Sequence, residues 1–360
     1  MLLVSCGLST DEGLEEVRGK AQIAGLPSDC SLFGERLVSA LPARQIHRYW
    51  TTYAKWPLFA KGAQDSSDWV PNDVMQSFEG NCRALAELMG ITAAEPNYLA
   101  TLVTPVRLND TELDELAALM PYANKEREAT RNGYCVTLPN RGSGWVPDNY
   151  MPELRYFVSH RLPTKFVVPG PNERETWPLI LAKAIAYAQA ERYQLQPTSD
   201  ALVTMSPMDY LSPGAYPSSW RINATMRGKV DTYDRYIGCT AELKSLIKEF
   251  RAHPMVVVTP KGHPIKLASG ATLHEDHAFA VVAITEDSIT VRDPHGDSHA
   301  GQAMRADGYY AEYTLSYATA FSSFGTLAIG PMQAAWPAGA TAEKWGNRSY
   351  FRRERSPACP

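Results

Sequence analysis

Residues 72–93 read NDVMQSFEGNCRALAELMGITA, a polar loop that runs into a helical pattern with a cysteine at the junction. Cys82 stands where a polar, glycine-containing loop (Phe78, Glu79, Gly80, Asn81) gives way to a helical pattern. Leu85, Leu88 and Met89 then recur at three- and four-residue spacing, so one face of that helix can be buried. A cysteine in the first turn of a helix meets the positive end of the peptide dipoles, which favours thiolate over thiol. Gln76, upstream in the same stretch, carries a side-chain amide able to fold back beside the sulfur and donate to a developing oxyanion. The stretch holds no base, so another part of the chain has to supply one.

His277 and Asp293 meet that need. Residues 277–284, HAFAVVAI, and 288–293, SITVRD, read as two strands of an antiparallel hairpin with Thr285, Glu286 and Asp287 as the tight connection. Such strands bring their outer ends together, which sets His277 beside Asp293. The expectation is that Nδ1–H of His277 points at the Asp293 carboxylate while Nε2 faces the sulfur. A thiolate–imidazolium pair of this kind activates a cysteine near neutral pH.

Composition bounds the alternatives. A chain of 360 residues with 44% hydrophobic residues can bury a sizeable core. A formal net charge of −4 gives no reason to expect a nucleic-acid partner. The six cysteines, at 6, 30, 82, 135, 239 and 359, form no CxxC pair and no zinc-ligand spacing, so no metal is expected and a dense disulfide framework is not indicated, while one or two bridges stay open. Cys30 and Cys135 read as buried structural residues, and Cys239 as the one rival nucleophile. No stretch approaches the length of a membrane-spanning helix. The opening MLLVSC has the look of a lipoprotein cleavage site, but its apolar run is too short and it lacks a charged region.

Along the chain, residues 1–70 form a separate N-terminal helical extension, with a short capped helix after Thr10, one or two helices within 31–54, and a polar boundary at 61–72. Helices are expected over 97–104, 111–119 and 240–250, and a long buried one from Trp177. Short strands are expected at 133–138, 154–158, 254–259, 309–315 and 325–329, with a broken surface loop over 197–219. Residues 331–360 make an Arg-rich tail.

The order Gln76, Cys82, His277, Asp293 resembles the catalytic core of the calpain-type, papain-fold cysteine peptidases. The glutamine-to-cysteine interval and Gly80 agree with that family's motif, and so does the order of YFVSHRLPTKFVV and TWPLILAKAIAYA, with Arg161, Leu162, Pro163, Trp177, Leu181, Lys183 and Ala184 matched. Asp276-His277-Ala278-Phe279 stands for the family's Gly-His-Ala-Tyr, and Asp293-Pro294-His295-Gly296 for Asn-Pro-Trp-Gly. TLSYATAFSSFGTLAI at 314–329 is similar to the family's last strand-adjacent segment. Arg83 and His295 replace tryptophans, and the loss of the second is expected to leave the His277–Asp293 bond more exposed.

The resemblance implies an α+β, papain-like fold: a helical subdomain facing an antiparallel β-sheet subdomain across a cleft. Its core would span 71–330, with a helical half about 71–200 and a sheet half about 201–330. It implies peptide-bond hydrolysis through a Cys82 acyl-enzyme, with His277 as base, Asp293 as its orienter and Gln76 at the oxyanion. Glutamine deamidation, acyl or transglutaminase-like transfer, and an inactive peptide-binding scaffold are the alternatives on the same fold. No cofactor and no calcium requirement are expected. The partner would be a protein or peptide substrate, with a targeting, chaperone-binding or pro-segment role for residues 1–70. The location would be that of a secreted or translocated bacterial effector, or otherwise the cytoplasm.

Overall fold

The computed structural model describes residues 23–41, 50–52, 58, 69–76, 81–96, 98–119, 130–139, 153–163, 167–168, 176–194, 207–211, 222–226, 235–262, 264–268, 272–295, 312–330 and 359. The helix expected after Thr10, most of the 61–72 boundary, Gly80, Gly296 and the Arg-rich tail lie outside those residues.

In chain order the first part holds β1 (Ala24–Gly25), α1 (Phe33–Ser39), β2 (Trp50–Thr52), a 3-10 turn at Pro71–Asp73 and β3 (Met75–Gln76). Next come α2 (Cys82–Ala94), α3 (Tyr98–Thr101), β4 (Val103–Arg107), α4 (Asp110–Leu119), β5 (Asn132–Leu138) and β6 (Leu154–Ser159). Then follow β7 (Arg161–Pro163), β8 (Val167–Val168), α5 (Trp177–Tyr193), α6 (Pro207–Leu211), β9 (Ile222–Met226), β10 (Arg235–Ile237) and α7 (Thr240–Glu249). The last part holds β11 (Met255–Val258), β12 (Ile265–Lys266), β13 (Thr272–Leu273), β14 (Ala278–Ile284), β15 (Ser288–Arg292), β16 (Glu312–Ser316), α8 (Tyr317–Ser323) and β17 (Thr326–Ile329).

These elements make an α+β architecture around two main sheets. One has the order β1-β4-β5-β6, and the other β10-β9-β17-β11-β14-β15-β16. The larger sheet is antiparallel apart from the β9–β10 pair. Three strands of the smaller sheet, β4, β5 and β6, lie within the stretch expected to form the helical half, and β1 comes from the residues before it. Among the described residues no helix is long and apolar enough to cross a membrane.

The larger sheet is covered on both faces, and the period-two alternation of its strands divides the core. Val256 of β11 and Ala278 and Ala280 of β14 join the cluster that contains α2 and α5. Val257, Phe279 and Val281 point the other way, into a cluster with Leu243, Leu246 and Ile247 of α7 and Ala320 of α8. Two alanines on the α2 side let that helix come close. Gly90 shows how close: a Cβ there would meet the Met255 carbonyl oxygen at 3.2 Å. A helical glycine usually weakens its helix, and here the close approach accounts for it.

The segment expected as a helix over 97–104 is helical only at Tyr98–Thr101 and then becomes strand β4. Val103, Thr104 and Val106 are β-branched, and Pro105 cannot continue a helix. Val103 and Val106 are buried, in register with Val136 and Gly133 of β5. Two disulfides join distant parts of the chain: Cys30–Cys135 and Cys239–Cys359. The first ties the chain before α1 to β5. The second ties Cys239, the residue before α7, to the end of the tail.

Lys183 is fully buried in α5 and is held by Glu35 of α1. Its Nζ donates to Glu35 Oε1 at 2.6 Å, to Ser159 Oγ at 3.0 Å and to the Arg161 carbonyl at 2.5 Å. Glu35 also accepts from the Ser159 N–H at 2.7 Å and from the Tyr187 hydroxyl at 3.0 Å. Burial pushes the Glu35 carboxyl up, but Lys183 and these donors outweigh it and hold the group below its ordinary value. An acid and a base from segments far apart in sequence are thus locked in one buried network. Substituting Lys183→Met leaves the Glu35 charge without its partner, and we expect a loss of about 3–5 kcal/mol in denaturant unfolding. The double variant with Glu35→Leu should recover most of it, because the uncompensated charge is then gone.

Candidate functional site

Cys82 is the first residue of α2, at the end of the helix where unpaired N–H groups and the dipole favour negative charge. Among the described cysteines it alone is outside a disulfide. Helix α2 lies across β14 and β11, and this seats its N-terminus at the His277 end of β14. The sulfur shares a hydrogen bond with His277, and the backbone N–H groups of Ala278 and Arg83 also face it.

His277 precedes β14 and Asp293 follows β15, as the hairpin reading required. The hairpin closes through the Thr285 N–H and the Ser288 carbonyl at 2.9 Å. His277 Nε2 meets Asp293 Oδ1 at 2.8 Å, with both residues buried. This reverses the expected use of the ring: Nε2, not Nδ1, faces the carboxylate, which leaves Nδ1 on the Cys82 side. The His277 backbone is clamped by Thr259, whose Oγ1 accepts its N–H at 3.0 Å and whose N–H donates to its carbonyl at 2.9 Å. Phe279 stands edge-on to the imidazole at 4.9 Å.

Sequence reasoning missed the role of His295. A bulge between Val281 and Ala283 shifts the hairpin register, so that Ala280 pairs with Arg292. Continuing that register beyond the strands sets His277 across from His295. The two rings stack at 4.6 Å with 14° between their planes. His295 also donates its backbone N–H to Asp293 Oδ1 at 2.8 Å, and its Nδ1 lies 3.0 Å from the same oxygen. The expected exposure of the His277–Asp293 bond is therefore corrected: Asp293 is buried under its own flanking histidine. A third ring, His274, stands 5.7 Å from His277 and 5.9 Å from His295. The signal for these rings was available only as four histidines within 274–299, without a register to align them.

Gln76 is brought to the same place. It is buried in β3, and its backbone N–H donates to the Pro294 carbonyl at 2.7 Å, beside Asp293. Arg83 turns along its helix toward Glu87, with Nε 3.4 Å from the carboxylate. Asp276 has a φ of 48°, a left-handed conformation that aspartate tolerates better than most residues. Cys239 is bonded to Cys359 and is no rival nucleophile, and Cys30 and Cys135 are partners of one another.

The electrostatics follow from this packing. Burial resists charge on Cys82, but the hydrogen bond and charge of His277 outweigh it and bring the thiol below its ordinary value. Burial likewise opposes the imidazolium, yet Asp293 and Cys82 together raise His277 to about 9. Asp293 is held well below the carboxylate range by its two histidines, against the effect of burial. His277, Asp293 and His295 also offer donor atoms that all lie within 4.8 Å of one another, a grouping able to hold a metal ion.

The shared proton has a thermodynamic signature. His277, raised from 6.5 to about 9, contributes stability that is full below 6.5 and lost as pH rises through 9. Cys82, lowered from 9.0, contributes stability that is full above 9.0 and lost as pH falls. Above pH 6.5 the His277 contribution falls with rising pH while the Cys82 contribution grows. The two slopes therefore oppose one another. In Cys82→Ala only the His277 contribution remains, reduced because one of the two groups that raise His277 is gone, so stability should fall as pH rises above 6.5, by at most about 1.4 kcal/mol per pH unit and over a window that closes below 9. Denaturant titrations of both proteins with chelator present would measure it. Equal slopes in the two would mean that no proton is shared.

No family model matches the chain, and no curated protein matches it. The calpain-type resemblance is accordingly corrected, on two findings. Four cysteines are taken up in two disulfides that the resemblance does not carry. Where that family has an aromatic screen, this chain has a histidine bonded to Asp293, which makes a His–Asp–His group of metal-ligand spacing. Peptide-bond hydrolysis, the cysteine-endopeptidase class, and the deamidase, transferase and peptide-scaffold alternatives rested on the resemblance and are withdrawn with it. What the geometry leaves is a free thiol, an imidazole and a carboxylate in contact, with no family activity attached.

Proposed function

We propose that Cys82, His277, Asp293 and Gln76 form a reactive-thiol centre that captures electrophilic reactants covalently. The observation that carries this reading is the hydrogen bond between free Cys82 and His277, whose other nitrogen is bound to Asp293 at 2.8 Å. In this reading the sulfur lone pair forms the new bond and the displaced group leaves with its own bonding pair. His277 stabilises the thiolate, and Asp293 fixes the tautomer and direction of the ring. Gln76, tied to the Asp293 turn through Pro294, is the polar flank of the centre. The seam between the start of α2 and the start of β14 is where a reactant would meet the sulfur.

Iodoacetamide tests the reading directly, because sulfur displaces iodide and no other group has to take part. The full chain, without reductant and with chelator, is labelled at pH 7 and the modified peptides are resolved by mass. Cys82 should label at least about tenfold faster in the wild type than in His277→Ala. Asp293→Asn should fall between them, with the circular dichroism of the folded protein unchanged. Equal Cys82 rates in the wild type and His277→Ala would overturn the reactive-thiol centre.

A further inference from the structure

Three groups converge on one buried point next to Cys82. Asp293 Oδ1 lies 2.8 Å from His277 Nε2 and 3.0 Å from His295 Nδ1. The side chains of His277 and Asp293 are only 6% and 3% exposed, whereas that of His295 keeps 20%. The group is thus closed on its inner side and open to solvent along one ring. We infer that His277, Asp293 and His295 form a binding site for one divalent cation of the zinc class, on the edge of the His277 ring opposite Cys82.

The donor chemistry selects that class. Two imidazole nitrogens and one carboxylate oxygen suit zinc and its neighbours, whereas calcium and magnesium prefer all-oxygen sets. Zinc bound at about 2.0–2.1 Å from each donor in a tetrahedron separates neighbouring donors by about 3.3 Å. The carboxylate oxygen lies 2.8 and 3.0 Å from the two nitrogens, and all three donors lie within 4.8 Å of one another. A spread of a few tenths of an ångström at the carboxylate, with the two rings turned out of their stack so that both nitrogens aim at one point, converts the hydrogen-bonded cluster into a coordinated one. The ion would take the place of the protons that the two histidines give to Asp293, and those protons pass to solvent. Water on the exposed side of His295 would complete the coordination.

The second nitrogen of His277 supports the assignment. A metal-binding histidine generally donates its other N–H to an anionic or carbonyl partner, which fixes the ring and strengthens the ligand. Here that partner is Cys82, which hydrogen-bonds to His277 from the other edge of the ring. The sulfur therefore supports the site without belonging to the ligand set. The inference uses the same residues as the reactive-thiol reading but not its chemistry. A chain in which Cys82 labels slowly can still bind the ion, and one in which it labels fast can fail to.

The test is calorimetric titration of Zn²⁺ into the metal-stripped full chain at pH 7.5, with wild type, Cys82→Ala, His295→Phe and His295→Asn. The wild type should bind one ion per chain, Cys82→Ala should still bind one ion but about 10–100-fold more weakly because His277 loses the partner of its other nitrogen, and both His295 variants should lose stoichiometric binding. Titration with Co²⁺ should give an absorption spectrum without a thiolate-to-cobalt band, a result that needs no folded variant. Three results would overturn the inference: no stoichiometric Zn²⁺ binding by the wild type, binding that both His295 variants retain, or a cobalt–thiolate band that Cys82→Ala removes.

Discussion

A single carboxylate oxygen organises the site. Asp293 Oδ1 receives His277 Nε2, the His295 backbone N–H and His295 Nδ1, all at 2.8–3.0 Å. A carboxylate charge buried without partners would cost several kcal/mol, so these donors are a condition for Asp293 to stay ionised inside the fold. Once the charge is held there, the rest follows. His277 must present Nε2–H to it, its ring can no longer rotate, and Nδ1 is left facing the start of α2. The thiol of Cys82 then meets an imidazole of fixed direction and raised basicity.

The backbone that holds this oxygen is equally specific. Antiparallel pairing brings the start of β14 and the end of β15 together, but pairing alone does not say which residues face each other. The bulge between Val281 and Ala283 moves the register by one and brings His295 across from His277. On the far side, Ala278 and Ala280 present little volume to α2, and Gly90 allows close contact with Met255. Larger residues at these three positions would lift the helix and carry Cys82 away from the ring.

How much of this could be read from residues alone depends on the range of the interactions involved. Helix α2, the hairpin that sets His277 near Asp293 and the long helix from Trp177 were legible, because periodicity, turn residues and strand alternation are local, whereas the meeting of Cys82 with His277 joins distant segments and was expected only from the resemblance. The ring tautomer was not, since it depends on which face of His277 the helix approaches. His295 was hidden by a one-residue bulge that has no sequence signature. The 97–104 segment was misread because its leading helical turn continues into β-branched residues whose partners in β5 lie some thirty positions away. The disulfides pair cysteines 105 and 120 positions apart, and cysteine spacing carries no information on such pairs. Glu35 and Lys183, separated by 148 positions, belong to the same class of long-range contact.

The choice of aspartate for the orienting position connects the two roles argued for this cluster. A neutral amide oxygen could accept from His277 Nε2 and fix the tautomer, but it would neither hold an imidazolium as strongly nor attract a cation. A carboxylate does both, since a proton on His277 and a divalent ion bridging His277 and His295 satisfy the same negative charge in the same place. The two occupants exclude each other, because the ion needs Nε2 with its proton gone. Cys82 keeps a hydrogen bond from Nδ1 in either state, so the sulfur senses the exchange only through the charge on the ring. The aspartate thus makes the centre one in which proton and metal compete, and an asparagine at the same position would leave the proton as its only strong occupant.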